Sequence, residues 1–255
     1  MFIEHISVSR KKCHDTCPQQ YKFRYHLKVP RPGEEPIYFL YGSIVHKIAE
    51  LYVENRGSIA IGEISKDVMR GKYDIEGKQG PFILPEEYQK KLQKHLRSIQ
   101  NLTDRIGTDG LLEHQFRYDL DPPNNKCVTG FIDRLIVKDD QAWIIDYKTT
   151  KKGKFRVNAE TVKDDLQLRC YARVVNREFG IKPENIKAAL YYLEGENIIA
   201  CQYSEESLLK VEDELRRAFM QIEESDPNKV WGRVDRKSTR LNSSHIPLSR
   251  MPSSA

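Results

Sequence analysis

Residues Gly130–Thr150 read GFIDRLIVKDDQAWIIDYKTT. Two runs rich in β-branched and aromatic residues, Val128–Val137 and Ala142–Thr149, flank the polar Lys138-Asp139-Asp140-Gln141, which is the pattern of a β-hairpin. A turn centred between Asp139 and Asp140 pairs Val137 with Ala142, Leu135 with Ile144 and Asp133 with Asp146. Strand alternation puts Lys148 on the face of Asp146. The other residues of that face, Leu135, Val137, Ala142 and Ile144, are apolar, so it is expected to point into the protein. Directly opposed side chains have Cβ atoms about 4.5–5.5 Å apart, and like charges there are destabilising. At roughly 5 Å and an effective dielectric of ~20, two carboxylates repel by about 3 kcal/mol. A divalent cation turns that repulsion into chelation, and hard oxygen ligands suit magnesium or manganese. Geometry alone leaves two alternatives open. One Asp turns to solvent or pairs with Lys148, or a one-residue slip of the turn removes the juxtaposition.

Composition bounds the class of protein. The 255 residues are 39% hydrophobic and 31% charged, with a mean hydropathy of −0.65, as expected of a soluble globular chain with a modest core. No run approaches the roughly 18 apolar residues of a membrane span, and MFIEHISVSRKKC lacks a signal-peptide core. Five scattered cysteines form no disulfide framework, so a cytoplasmic, reducing setting is expected. The last residues, DRKSTRLNSSHIPLSRMPSSA from Asp235 to Ala255, show no hydrophobic period and read as a non-native, adapter-like tail. The tail carries Arg236, Lys237, Arg240 and Arg250 against Asp235, so the net charge of +5 falls to +2 without it. The pI of 8.8 therefore says little about a nucleic-acid partner. The expected organisation is one domain over residues 1–234, truncated at its C-terminus, with a helical insertion at about 58–108.

Read from the N-terminus, Ser9 is placed to cap a short helix and Pro18 to begin another. Tyr21, Phe23, Tyr25 and Leu27 then alternate with Lys22, Arg24, His26 and Lys28. Such interleaving suits nucleic-acid binding by phosphate contact and stacking, and equally suits a solvated face over buried aromatics. Phe39–Asn55 has a helical period through Ile44, Val45, Ile48, Leu51 and Tyr52, ending near Gly57. It carries His46, which as a lone helical histidine is more often structural than a ligand. Helices are expected at Ile61–Tyr73 and Pro85–Leu102, and a strand with Glu113 and Phe116 at Leu111–Leu120. After the hairpin come a helix over Ala159–Phe179, strands at Ile186–Leu193 and Asn197–Tyr203, and a last helix to about Glu224 capped by Ser204. Gln167 and Tyr171 lie one helical turn apart and share a face. The order predicts an α/β fold, a central mixed β-sheet flanked by helices.

Four motifs stand in order on these elements: Gly42-x-x-x-His46, Gly130-x-x-Asp133-Arg134, Asp146-x-Lys148 and Gln167-x-x-x-Tyr171. Together with the opening SRKKCHDTCPQQYKFRY they resemble the RecB-like, AddB-like exonuclease branch of the PD-(D/E)XK nucleases, with CRISPR-adaptation-type exonucleases as close relatives. The resemblance spans residues 6 to 225 and implies a restriction-endonuclease-like core. It implies that Asp133, Asp146 and His46 hold a magnesium or manganese ion, with the backbone carbonyl of Tyr147 completing the protein ligands. Lys148 would orient or help deprotonate the attacking water. Gln167, Tyr171 and Arg134 would contact the substrate, and Glu113 would be an outer metal contact. Many such nucleases carry an iron–sulfur cluster on one N-terminal and three C-terminal cysteines. Cys17 matches the first, and the cluster requires three more beyond the part of the chain that reads as native. The implied activity is metal-dependent hydrolysis of DNA, single-stranded or end-bearing, in repair, recombination or foreign-DNA processing. No phosphate-binding Gly-rich loop with Lys occurs, so a partner helicase or recombination protein would be a separate chain. The alternatives are a non-catalytic nucleic-acid-binding module and an inactive subunit of a helicase–nuclease complex.

Overall fold

The computed structural model describes residues 3–30, 33, 35–150 and 157–225. Strand β1 (His5–Ile6) leads into α1 (Val8–Thr16), α2 (Pro18–Tyr21) and a π-helical turn at Lys22–His26. Helices α3 (Ile37–Glu54), α4 (Ile61–Met69) and α5 (Glu86–Ile106) follow. Strands β2 (Leu111–Asp121), β3 (Lys126–Lys138) and β4 (Gln141–Lys148) come next, then α6 (Leu166–Phe179), β5 (Ile186–Tyr192), β6 (Asn197–Gln202) and α7 (Glu205–Glu224). The six strands form one mixed sheet in the order β1-β3-β4-β5-β6, with β2 paired to β3. Helices flank it, as expected of a restriction-endonuclease-like α/β core. The tail from Asp235 and the cysteines expected near it lie outside the described residues.

The hairpin has the inferred register. Val137 pairs with Ala142, Leu135 with Ile144 and Arg134 with Ile145. Asp139 and Asp140 have φ of 49° and 57°, the two left-handed residues that let a two-residue turn match the twist of its strands. The expectation of one inward face was too narrow, because both faces of β4 are covered. Ala142 and Ile144 enter a core with Leu168, Val175, Leu190 and Phe219 from α6, β5 and α7. Ile145 and Tyr147 enter a second core with Ile44, Ile48 and Ile99 from α3 and α5. Near the turn this cover ends, and Val137 and Trp143 are more than two-fifths exposed.

Two element starts differ from expectation for a local reason. Ser7, not Ser9, caps α1, its hydroxyl accepting the Arg10 N–H at 3.3 Å. The helix that Pro18 begins continues through the alternating stretch, widening to π geometry over Lys22–His26. Helix α6 begins at Leu166 rather than Ala159. Asn158 ties down the N–H groups of Glu160 and Thr161 in a turn, and Asp165 then caps the helix through Leu168 N–H at 3.0 Å.

One topological detail positions the site. At Cys127, β3 is flanked by β2 and β1; at Arg134 it is flanked by β2 and β4. Strands β1 and β4 therefore share one edge of β3. Between Val128 and Arg134 that edge carries no described strand pairing. Asp133 sits at the upper lip of this gap.

Candidate functional site

Asp133 uses the gap chemically. Where the β3–β4 ladder stops at Arg134–Ile145, Asp133 Oδ2 accepts the Tyr147 N–H at 2.7 Å. Helix α3, packed on the face that buries Tyr147, brings His46 Nδ1 to 3.4 Å from the same oxygen. On the other side of β3, Glu113 lies between the pairs Leu112–Arg134 and His114–Ile132, and so across from Asp133. Its φ of 44° takes it out of strand conformation, a strain of about 1–3 kcal/mol of the kind that gathers at functional sites. One ligand atom from each of His46, Glu113 and Asp133 lies within 4.8 Å of the others.

Asp146 completes the arrangement from β4. Its side chain is 2% exposed, its Oδ2 is 2.5 Å from Lys148 Nζ, and its Oδ1 accepts from Gln167 Nε2 at 3.0 Å. The same Gln167 amide nitrogen donates to Tyr171 Oη at 2.7 Å. Alternation along β4 turns Asp146 toward α6, as it turns Ile144. The capping Asp165 fixes the start of that helix, and hence where Gln167 stands. Lys148, 28% exposed, carries the pair toward solvent.

Electrostatics follow from this crowding. Burial disfavours the imidazolium of His46, yet Asp133, Asp146 and Glu113 outweigh it and raise its pKa to about 9. Burial would likewise push Asp133 up, but His46, Lys148 and the Tyr147 N–H hold it below the usual carboxylate range. Asp146 rises to about 6 because burial and the Asp133 charge exceed the help from Lys148. Glu113 rises to about 7 through burial and the charge of Asp133. Lys148 stays charged, its pKa raised by Asp146 and Asp133 against the effect of burial. Three carboxylates around one imidazole are a donor set short of positive charge. An imidazole nitrogen and carboxylate oxygens at this spacing fit a hard or borderline divalent cation.

The structure thus brings together His46, Asp133, Asp146 and Lys148, with Gln167 and Tyr171 behind Asp146 rather than reaching outward. Tyr171 is 5% exposed, and its hydroxyl accepts from Gln167. Tyr147, expected to contribute its carbonyl, engages the cluster through its N–H, and its ring stands edge-on to His46. Arg134, expected to contact the substrate, is instead fully buried and donates to the carbonyls of Gly107 and Asp109 at 2.6 and 3.0 Å rather than reaching outward. Cys17 Sγ accepts the Gln20 N–H at 3.4 Å as the cap of α2. Glu113 is closer to the centre than the outer contact expected from sequence. The turn alone misleads here: the Asp121–Lys126 pair would set Glu113 across from Arg134, and a register shift between Asp119 and Asp121 brings Asp133 opposite instead.

No curated protein matches the chain. Among solved structures, a candidate exonuclease from Eubacterium rectale superposes with a TM-score of 0.51 at 14% identity, covering 86% of this chain and 81% of its own. At that identity the likeness bears on the fold. SSO0001, also 14% identical, covers 82% of this chain and 86% of its own with a TM-score of 0.34. The family model described as the PD-(D/E)XK nuclease superfamily matches residues 5–242, so this chain belongs to the PD-(D/E)XK nuclease superfamily.

Proposed function

We propose that this protein is a magnesium- or manganese-dependent deoxyribonuclease of the RecB-like type, acting as an exonuclease on single-stranded or end-bearing DNA. The observation that carries the reading is the His46–Glu113–Asp133 cluster standing beside the Asp146–Lys148 pair. PD-(D/E)XK nucleases use divalent metals, and a His/Glu/Asp group that can hold one is present. Asp133, Asp146, His46 and Glu113 would hold the ion, with the Tyr147 carbonyl as a further donor. Such an ion supplies a more acidic water and draws charge from a phosphoryl oxygen.

The chain's own residues do the rest. The Tyr147 N–H fixes the rotamer of Asp133, and Gln167 does the same for Asp146 by holding Oδ1. Each bond restrains its carboxylate before an ion arrives, which would lessen reorganisation on binding. Lys148, a compact cation on a flexible stem, reaches the phosphate or the attacking water and offsets developing negative charge. An ion held there would compete with the protons that His46 and Glu113 carry near neutrality. The setting we propose is cytoplasmic, in repair, recombination or foreign-DNA processing alongside a separate helicase or recombination protein. Among the described residues no helix is long and apolar enough to cross a membrane. An iron–sulfur cluster on Cys17 stands only if cysteines follow beyond the native-reading part of the chain.

The test is cleavage of end-labelled single- and double-stranded DNA with and without manganese, with Asp146→Ala and Lys148→Ala alongside. Metal-dependent cleavage lost in both variants is expected. Cleavage at wild-type rate in both would refute the site, and DNA binding without cleavage by any form would make this a binding module.

A further inference from the structure

The N-terminal segment holds a group of cations that the catalytic reading leaves unused. Arg10 of α1 and Arg24 of the π-helical turn both lie over the Tyr25 ring, their guanidinium carbons 5.0 and 5.3 Å from its centroid. Arg24, His26 and Lys28 are exposed, and Lys22 is partly so. The neighbouring acids are already engaged: Asp15 pairs with Lys11, and Glu35 with Lys78. Among the described residues no ion pair involves Arg10, Lys22, Arg24 or Lys28. Helix α1, which bears Arg10, packs against α6, the helix bearing Gln167 and Tyr171; from a different face of α1, Lys12 Nζ reaches within 4.0 Å of the Asp165 carboxylate that caps α6.

We propose that Arg10, Lys22, Arg24 and Lys28, organised around Tyr25, form a phosphate-gripping surface that holds a nucleic-acid strand beside the active site. The proposal rests on the nuclease reading and specifies how the strand is held. Stacking on one ring restrains the two guanidiniums, so less freedom is lost when they meet phosphates. Because that ring is engaged by cations, the surface grips backbone rather than stacking bases, and its recognition is insensitive to sequence.

A backbone grip shows itself in salt dependence. Each neutralised phosphate of a single strand contributes about −0.7 to the slope of log K against log salt. Anisotropy of a fluorescein-labelled single strand of mixed sequence, with chelator to prevent cleavage, reads that slope for the full chain. The triple variant Lys22→Gln, Arg24→Gln, Lys28→Gln is expected to flatten it by about 2, so that wild type loses roughly 20-fold more affinity than the variant between 50 and 200 mM salt. A control with equal charge loss on α5, Lys90→Gln, Lys94→Gln, Arg97→Gln, keeps the wild-type slope, and circular dichroism checks the fold of both. An unchanged slope in the first variant, or equal flattening in both, overturns the proposal. Metal-dependent cleavage, scored separately, shows whether the nuclease reading stands, so either can fail alone.

Discussion

His95 couples the helical cover to the helix that carries the candidate metal ligand, and pH should expose the coupling. On α5 it is 1% exposed, and its Nδ1 is 2.7 Å from the hydroxyl of Tyr41 on α3. Either partner can donate in this bond while the ring is neutral, according to which ring nitrogen holds the proton. Burial, reinforced by Lys91 and Lys94 against the opposing charge of Glu194, lowers its pKa from 6.5 to about 4. The unfolded chain therefore binds more protons at this residue than the folded chain at any pH between those values. Stability contributed by neutral His95 is complete above about pH 6.5 and is lost as pH falls toward 4. Relative to pH 8, the loss at pH 5 is about 2 kcal/mol, rising to about 3 kcal/mol below pH 4.

Urea unfolding at several pH values between 8 and 4.5 measures this, with His95→Gln beside wild type. Glutamine keeps an acceptor for Tyr41 and has no proton to gain, so subtracting its profile removes every other titrating group. Asp146 and Glu113, whose pKa values are raised, act in the opposite sense, stabilising the fold as pH falls, and cancel in the difference. The wild type is expected to lose about 2 kcal/mol more than the variant by pH 5. Parallel profiles would refute the account and show that His95 reaches solvent.

Other substitutions separate roles at the centre. Glu113→Gln should weaken manganese affinity about 10–100-fold by titration calorimetry, with the melting temperature nearly unchanged; equal affinity would remove Glu113 from the ligand set. Gln167→Leu should lower kcat with KM for DNA almost unaltered, because Gln167 holds Asp146; a rise in KM alone would restore its expected substrate contact. Gly130→Ala should cost about 1–3 kcal/mol, since its Cβ would meet Phe116 Cζ at 2.7 Å and Cε1 at 2.9 Å. Thermal melts with Phe116→Leu added should recover part of that loss, and no recovery would refute the clash.

What the sequence revealed and what it hid divide along the range of the forces involved. Strand register was legible because a two-residue turn and strict alternation are local, and the Asp139–Asp140 turn alone placed Asp133 toward Asp146. Helix α6 was legible in its apolar period yet misplaced at its start, because Asn158 and Asp165 compete with the helix for its first N–H groups. The expectation for Arg134 came from a motif read as one unit. The burial of the Arg134 guanidinium depends on the Gly107 and Asp109 carbonyls from the loop before β2, a partner that no local pattern announces.

The unpaired stretch of β3's edge was not legible at all, because it arises from two strands far apart in sequence docking on one edge. It also explains why the opposed carboxylates are tolerated. Inside a continuous ladder, Asp133 and Asp146 would stand side by side with only repulsion between them. At the gap, Asp133 instead takes up a backbone N–H and the His46 imidazolium, while Asp146 turns to Lys148 and Gln167. Each carboxylate thus has its own compensating donors. An ion held by His46, Asp133 and Asp146 would have to replace the His46 proton and the Lys148 contact with Asp146. Lys148 released in that way would be an ammonium free to meet the phosphate, so holding the ion and arming Lys148 would be coupled. Lys148→Ala should therefore tighten manganese binding while slowing cleavage, two effects that a purely structural lysine could not produce together.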